Sequence, residues 1–230
     1  MIEKFDRNIF YELCDELAAK DLDLKQIITT YSYPPFWVRP NTFDTLVLTI
    51  LEQQVSLASA YAAHKKLKEK LINLTPKNVL ALTDEELRQC YFSRQKIVYV
   101  RELAKAIVTK QISLKAFTFQ TDDRVREGLK KLKGIGDWTV DIYLIHALQR
   151  KDIFPIGDLA LVNSIRMVKQ LPSATKEELL QIAEFWKPSR SIATMMLWHC
   201  YIKKRNIRLP SDFPNRGSHL HTDPYNHHSL

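Results

Sequence analysis

The sequence predicts an all-α protein. Only five glycines occur in 230 residues, and in most segments apolar residues recur at the three- and four-residue intervals of one helix face. No segment shows a convincing alternation of apolar and polar residues, which a half-buried strand would require. Apolar residues make up 45% of the chain, so a core can form without disulfides or metal.

The helices follow in order from this periodicity. The proline-bearing stretch 33–40 cannot be helical throughout, so Pro40 marks a domain boundary. Further along, Thr83 and Glu86 have the spacing of a capping box that opens a helix. Apolar periodicity predicts helical segments at residues 9–19, 43–71, 96–109, 123–132, 137–149, 159–169, 176–185 and 189–204.

Charge and cysteine content narrow the class of protein. The net charge of +8 and the pI near 9.3 favour a polyanionic partner, since clustered Lys and Arg release counterions from phosphates. Cys14, Cys90 and Cys200 are far apart and odd in number, which indicates buried thiols in a reducing compartment. With no signal-peptide pattern and no membrane-length apolar run, we expect an intracellular monomer that does not bind membranes.

The segment LKGIGDWTVD at 132–141 predicts a tight helix hairpin. Gly134 and Gly136 bracket one aliphatic residue, and glycine permits the positive φ and close backbone approach that such a reversal needs. Amides at the start of the next helix form an anion site suited to a DNA phosphate. The alternative is a plain glycine-capped turn without a ligand. The candidate phosphate-binding residues are Lys133, Gly134, Ile135, Gly136 and Thr139.

The hairpin and its surroundings resemble a known family. LKGIGDWTVDIYLIHALQRKDIFPIGDLAL, at 132–161, is similar to the signature of the helix-hairpin-helix (HhH-GPD) DNA glycosylases, closest to the 3-methyladenine DNA glycosylase II group. TILEQQVSLASAYAA, YFSRQKIVYVRELA and WKPSRSIATMMLW resemble other segments of that group in the same order. The resemblance covers the chain from about residue 43 to 200.

This resemblance implies two helical domains with double-stranded, damaged DNA in the cleft between them. The central domain would span 41–154, and 1–40 would join 155–209 in the second; the β-rich N-terminal domain of some members would be missing. Residues 210–230 turn polar and are expected to be a loosely held tail. The resemblance implies no cofactor and no side-chain metal site, with the carbonyls of Leu132 and Ile135 as candidate ligands for a monovalent cation.

Asp158 is the candidate catalytic residue. The resemblance places the family's catalytic aspartate there, where a carboxylate stabilises an oxocarbenium-like sugar and orients a water. From spacing alone the same residue serves equally well as a helix N-cap. Bifunctional members carry a lysine where this chain has Trp138, so we expect a monofunctional enzyme without Schiff-base chemistry. Asp137 and Asp141 are expected to be helix-start or solvent-facing charges.

Trp138 and Trp198 match positions that line the base pocket in the resembled group. Their rings would select positively charged lesions such as 3-methyladenine or 7-methylguanine by stacking and cation–π attraction. The alternative is that both are core residues. Ile142 stands where a pocket tyrosine can occur, with Tyr143 one residue later, so the pocket is expected to be less aromatic.

Gln53, Gln54 and Ser56 are polar within an otherwise apolar run, which indicates a helix end or a surface. Gln54 is the candidate wedge that fills the gap left by a flipped base, with Gln53, Val55 and Ser56 nearby. The alternative is a buried amide that ties two helices together. Two other functions remain open: a glycosylase for uracil, a mismatch or an oxidised purine, and a non-catalytic helix-hairpin-helix module that binds DNA.

Overall fold

The computed structural model describes residues 2–211 and 213, and within them it confirms the all-α prediction. This part of the chain contains no β-strand; one isolated bridge joins Lys4 to Arg150. Its thirteen helices are α1 (Phe10–Lys20), α2 (Leu22–Tyr31), α3 (Phe43–Glu52), α4 (Leu57–Lys70), α5 (Pro76–Ala81), α6 (Asp84–Gln89), α7 (Arg94–Val108), α8 (Leu114–Phe117), α9 (Asp122–Lys130), α10 (Asp137–His146), α11 (Leu159–Val168), α12 (Lys176–Glu184) and α13 (Arg190–Lys204).

Side-chain caps explain where most helices begin. Thr83 and Glu86 form the predicted reciprocal capping box at α6, and Thr175 with Glu178 forms a second one at α12. Each box satisfies two amides that the first helical turn leaves without partners.

The helix prediction was wrong in two respects, whereas the apolar region 43–71 divides at the polar residues that indicated a helix end. The region 43–71 is two helices, because Gln54 adopts a left-handed φ of 57° and Ser56 caps a new helix. The helix beginning at Asp137 ends at His146 and does not continue to Gln149. The helices α2, α5 and α8 were not predicted.

The helices pack in two neighbourhoods. Helices α1 and α2 pack with each other and against α13, which also packs on α11, whereas α3 packs on α4, α7 and α10. Buried apolar side chains nevertheless form one contiguous cluster from Phe5 to Cys200. The domain boundaries at 41 and 155 remain predictions.

All three cysteines are free thiols and buried, as expected. Within the described ranges no helix is long and apolar enough to span a membrane, and no cluster of His, Cys, Asp and Glu could hold a metal ion. Of the predicted tail, only residues 210, 211 and 213 are described, so the tail prediction and its histidines lie otherwise outside these residues.

Candidate active site

Asp158 accepts hydrogen bonds from two tryptophans. It is the N-cap of α11, and its Oδ1 accepts from the Leu161 amide at 2.8 Å and from Trp198 Nε1 at 3.0 Å. Its Oδ2 accepts from Trp138 Nε1 at 2.8 Å. Asp158, Trp138 and Trp198 are called the Asp158 cluster below. Asp158 is therefore the N-cap that its spacing allowed and also part of a polar cluster, and its catalytic role remains a prediction.

Three helices bring the Asp158 cluster together. Trp138 is in the first turn of α10, directly after the glycine hairpin, Trp198 lies in α13, and Asp158 begins α11. A carboxylate has about four lone-pair sites. Three N–H groups occupy three of them, and the half-buried carboxylate keeps acceptor capacity for a water or a sugar.

His146 stacks on Trp198. The two ring centroids are 5.4 Å apart with planes at 14°, and His146 Nδ1 lies 2.5 Å from the Trp37 carbonyl oxygen. Burial and the nearby Arg39 guanidinium lower the pKa of His146 to about 3. The imidazole is therefore neutral at pH 7.

Next to His146 lies a buried ion pair. Arg39 donates to both carboxylate oxygens of Glu52, at 2.8 and 2.6 Å, and the Arg39 amide donates to the His146 carbonyl at 2.8 Å. Sequence reasoning missed Arg39, Glu52 and His146. His146 had a usable signal, because eight residues after Trp138 it lies only about 80° around the same helix.

The structure does not bring Tyr143 to the Asp158 cluster. Tyr143 is fully buried, donates to Asn41 Oδ1 at 2.6 Å and packs edge-on against Phe117. Five residues after Trp138, it faces about 140° away around α10. Ile142 is buried one turn after Trp138, on the same side of the helix.

The two hairpin glycines meet different constraints. Gly134 has a φ of +87°, and a Cβ there would lie 2.0 Å from Tyr99 Cγ, so the fold itself requires glycine. Gly136 has an ordinary φ of −103°, and a Cβ would meet no atom within 4 Å. Neither glycine's amide has an acceptor in the described part of the chain. The Gly136 side of the hairpin is open to an approaching anion.

Two of the candidate phosphate-binding residues are engaged elsewhere. The Ile135 amide donates to the Leu132 carbonyl at 3.1 Å, and Thr139 is 2% exposed, with its hydroxyl accepting from Gln53. Lys133 is exposed and forms no ion pair with any residue that the structure describes. The carbonyl of Leu132 keeps a second lone pair, so the donor chemistry of the candidate cation site fits.

Asp141 is not the solvent-facing charge that was expected. It is 6% exposed and pairs with Arg126; burial raises its pKa, while Arg126 opposes the rise. Asp137 is exposed and pairs with Lys130 at 2.6 Å. The expectation therefore holds for Asp137 alone.

The turn between α3 and α4 adjoins the hairpin. Gln53 Nε2 donates to the Gly134 carbonyl at 2.8 Å and to Thr139 Oγ1 at 2.9 Å. The amide tie between elements is thus Gln53, whereas Gln54 and Val55 project outward, with Val55 46% exposed. Ser56 is occupied in capping α4.

In the part of the chain that the structure describes, an all-helical fold holds a glycine hairpin next to an aspartate that accepts from two tryptophans. The matching family model assigns a chain with this hairpin to the base excision DNA repair proteins. The chain belongs to the HhH-GPD superfamily of base excision DNA repair proteins, whose family model matches residues 47–188. The predicted family is therefore confirmed.

Relatives in this family include named glycosylases, which are N-glycosyl hydrolases. The chain is 31% identical to DNA-3-methyladenine glycosylase 1 of Schizosaccharomyces pombe over 68% of this chain and 71% of that protein. It is 28% identical to a DNA-3-methyladenine glycosylase of Bacillus subtilis over 69% of this chain and 57% of that protein. The chain thus spans less than two thirds of the length of the Bacillus subtilis relatives that it matches.

A solved structure gives the same likeness in three dimensions. The S. pombe 3-methyladenine DNA glycosylase in complex with abasic DNA has a TM-score of 0.76 at 28% identity, covering 81% of this chain and 95% of that one.

Proposed function

We propose that this protein is a monofunctional DNA glycosylase that flips alkylated purines of the 3-methyladenine and 7-methylguanine type out of duplex DNA and hydrolyses their glycosidic bond. The observation that carries the proposal is the Asp158 carboxylate, held by two indole N–H groups beside the glycine hairpin. Support also comes from the names of the relatives.

Asp158 acts by electrostatics in this proposal. Cleavage of the glycosidic bond leaves positive charge on the sugar, and a carboxylate next to C1′ stabilises that charge. The base leaves with the electrons of the C1′–N bond. The spare acceptor site of Asp158 orients a water, which adds to C1′ and passes its proton to the carboxylate. The tryptophan rings offer electron-rich faces to a cationic base.

The monofunctional mode follows from Trp138. A Schiff base needs a lysine amine within reach of C1′, and the position that would supply it holds an indole whose N–H is committed to Asp158. The product is then an intact strand with an abasic site.

DNA is proposed to lie across the hairpin and the α3–α4 turn. The open Gly136 amide and the exposed Lys133 suit a backbone phosphate, and the relative solved with abasic DNA supports this partner. Gln54, exposed at the tip of the turn, is the side chain proposed to fill the gap left by the flipped base.

The test is base release from methylated duplex DNA by wild type, Asp158→Asn and Asp123→Asn, an exposed aspartate on α9 as matched control. We expect Asp158→Asn to lose at least a hundredfold in single-turnover rate while it still binds DNA, and the control to match wild type. Equal release by Asp158→Asn and wild type would favour the non-catalytic DNA-binding module. An enzyme–DNA adduct trapped by borohydride would refute the monofunctional mode.

A further inference from the structure

The orientation of the His146 ring fixes which nitrogen carries its proton. Nδ1 lies 2.5 Å from the Trp37 carbonyl oxygen, and a carbonyl oxygen only accepts hydrogen bonds, so Nδ1 is the protonated nitrogen. In the neutral ring Nε2 then has a free lone pair. His146 therefore presents an acceptor and no donor at Nε2.

That acceptor has no partner inside the protein. Nε2 makes no hydrogen bond within the described part of the chain, and it is absent from the fully enclosed polar atoms that lack partners. The residue as a whole is only 7% exposed. A nearly buried acceptor that still reaches solvent is suited to a ligand donor, since leaving it unpaired costs free energy.

Trp198 connects this acceptor to the Asp158 carboxylate. Its Nε1 donates to Asp158, and its ring face stacks on His146. In the proposed complex the C1′ of a flipped purine would lie beside Asp158 and its ring would lie along Trp198. Its Watson–Crick edge, which flipped-base pockets read by hydrogen bonds, would then face His146.

We infer that His146 determines specificity by accepting a hydrogen bond at Nε2 from the 6-amino group of the flipped purine. This inference rests on the proposed function and narrows its substrate class to 6-aminopurine lesions. 3-Methyladenine carries the 6-amino group. 7-Methylguanine has an oxygen at that position, and its lone pairs would repel the lone pair of His146 Nε2. The site then selects between the two bases, because a base without the 6-amino donor leaves the Nε2 acceptor of His146 unpaired.

The experiment measures single-turnover release of 3-methyladenine and 7-methylguanine from one preparation of methylated DNA. His146→Phe keeps an aromatic ring against Trp198 but removes the acceptor, and His146→Gln restores an acceptor at a similar reach. We expect His146→Phe to lower the ratio of 3-methyladenine to 7-methylguanine rates by about tenfold, and His146→Gln to recover part of it. Melting temperatures check that both variants fold.

The outcomes separate this inference from the proposed function. Equal losses on both bases in His146→Phe, or a ratio unchanged from wild type, would show that His146 only packs against Trp198 and would overturn the inference alone. If wild type releases 3-methyladenine alone, the rate of its release by the two variants decides. A rate that falls in His146→Phe and is partly restored in His146→Gln supports the acceptor role of His146, and a rate that His146→Gln does not restore overturns the inference. A wild type that releases neither base refutes the proposed function and this inference with it.

Discussion

At the scale of single residues, the carboxylate of Asp158 is both a helix cap and the proposed catalytic group. Asp158 caps α11 through one oxygen and accepts an indole N–H on each oxygen. Hydrogen bonds to a charged group contribute roughly 1.5–3 kcal/mol each, so the indoles fix the position of the negative charge. The stacking partner of Trp198, His146, in turn fixes the plane of that indole.

Removing either indole donor should slow base release. Trp138→Phe and Trp198→Phe keep an aromatic ring but each deletes one N–H on Asp158, and we expect about a tenfold lower single-turnover rate for each. Trp186→Phe is the matched control, because Trp186 Nε1 donates to Asp21 at 2.8 Å away from the cluster. That variant should lose stability and keep its rate. Unchanged rates in both cluster variants would contradict the role given to the indoles.

His146 should make stability depend on pH. Its pKa is about 3 when folded, against an ordinary value of 6.5, so between these values the unfolded chain binds a proton that the folded protein does not. Stability is therefore fully present above about pH 6.5 and falls by up to about 1.4 kcal/mol per pH unit as the pH drops below it. Urea unfolding at pH 5 and pH 7 should show a smaller difference for His146→Phe than for wild type. Equal differences would contradict a neutral buried imidazole.

At the scale of elements, the two hairpin glycines meet different requirements: the fold requires glycine at Gly134, and only an approaching ligand would require it at Gly136. Gly134 lies against Tyr99 in a left-handed conformation, whereas Gly136 borders open space with an ordinary φ. Gln53 links the α3–α4 turn to the same hairpin through the Gly134 carbonyl. The two neighbouring segments that are proposed to contact DNA are thereby held together.

Alanine at Gly134 should therefore destabilise the fold, whereas alanine at Gly136 should weaken DNA binding without destabilising the fold. Gly134→Ala forces a Cβ into the Tyr99 ring and strains the backbone, so we expect destabilisation by more than about 2 kcal/mol, measured by denaturant unfolding. Gly136→Ala should keep the melting temperature of wild type and weaken DNA binding, because the methyl group lies where a phosphate would approach the amide. If Gly136→Ala binds DNA as tightly as wild type, the phosphate site lies elsewhere.

Sequence patterns predicted the long amphipathic helices and the residues of the Asp158 cluster more fully than the short elements. The polar residues 53, 54 and 56 indicated a helix end within the apolar run 43–71, but no sequence pattern gives the left-handed φ of Gln54 that makes the turn. Tyr143 was assigned to the pocket because it follows Ile142, the position that matches the family's pocket tyrosine. Its place on α10 instead directs its side chain towards Asn41. The ion pair of Arg39 with Glu52 depends on the path of the irregular stretch 33–40, which no local pattern records.

At the scale of the whole molecule, residues from three distant segments of the chain meet at Phe213. The ring of Phe213 packs against Trp37, with 6.0 Å between the ring centroids, and against Tyr61, with 5.6 Å between the centroids. Trp37 holds His146 through its carbonyl, and Tyr61 interacts with the buried Arg39. The stretch 33–40, α4 and the segment that follows α13 thus meet next to Trp37 and Arg39, which both contact His146.

The net positive charge predicts that DNA affinity depends on salt concentration. The chain carries 34 basic and 26 acidic side chains, and bound phosphates release counterions, so the binding constant should fall steeply with salt concentration. Lys133 is exposed at the hairpin without an ion pair in the described part of the chain. Lys133→Gln should reduce the slope of log binding constant against log salt by about 1. Lys25→Gln, an exposed site on α2, should leave the slope unchanged, and an equal effect of both substitutions would show that Lys133 contributes only general charge and contacts no particular phosphate.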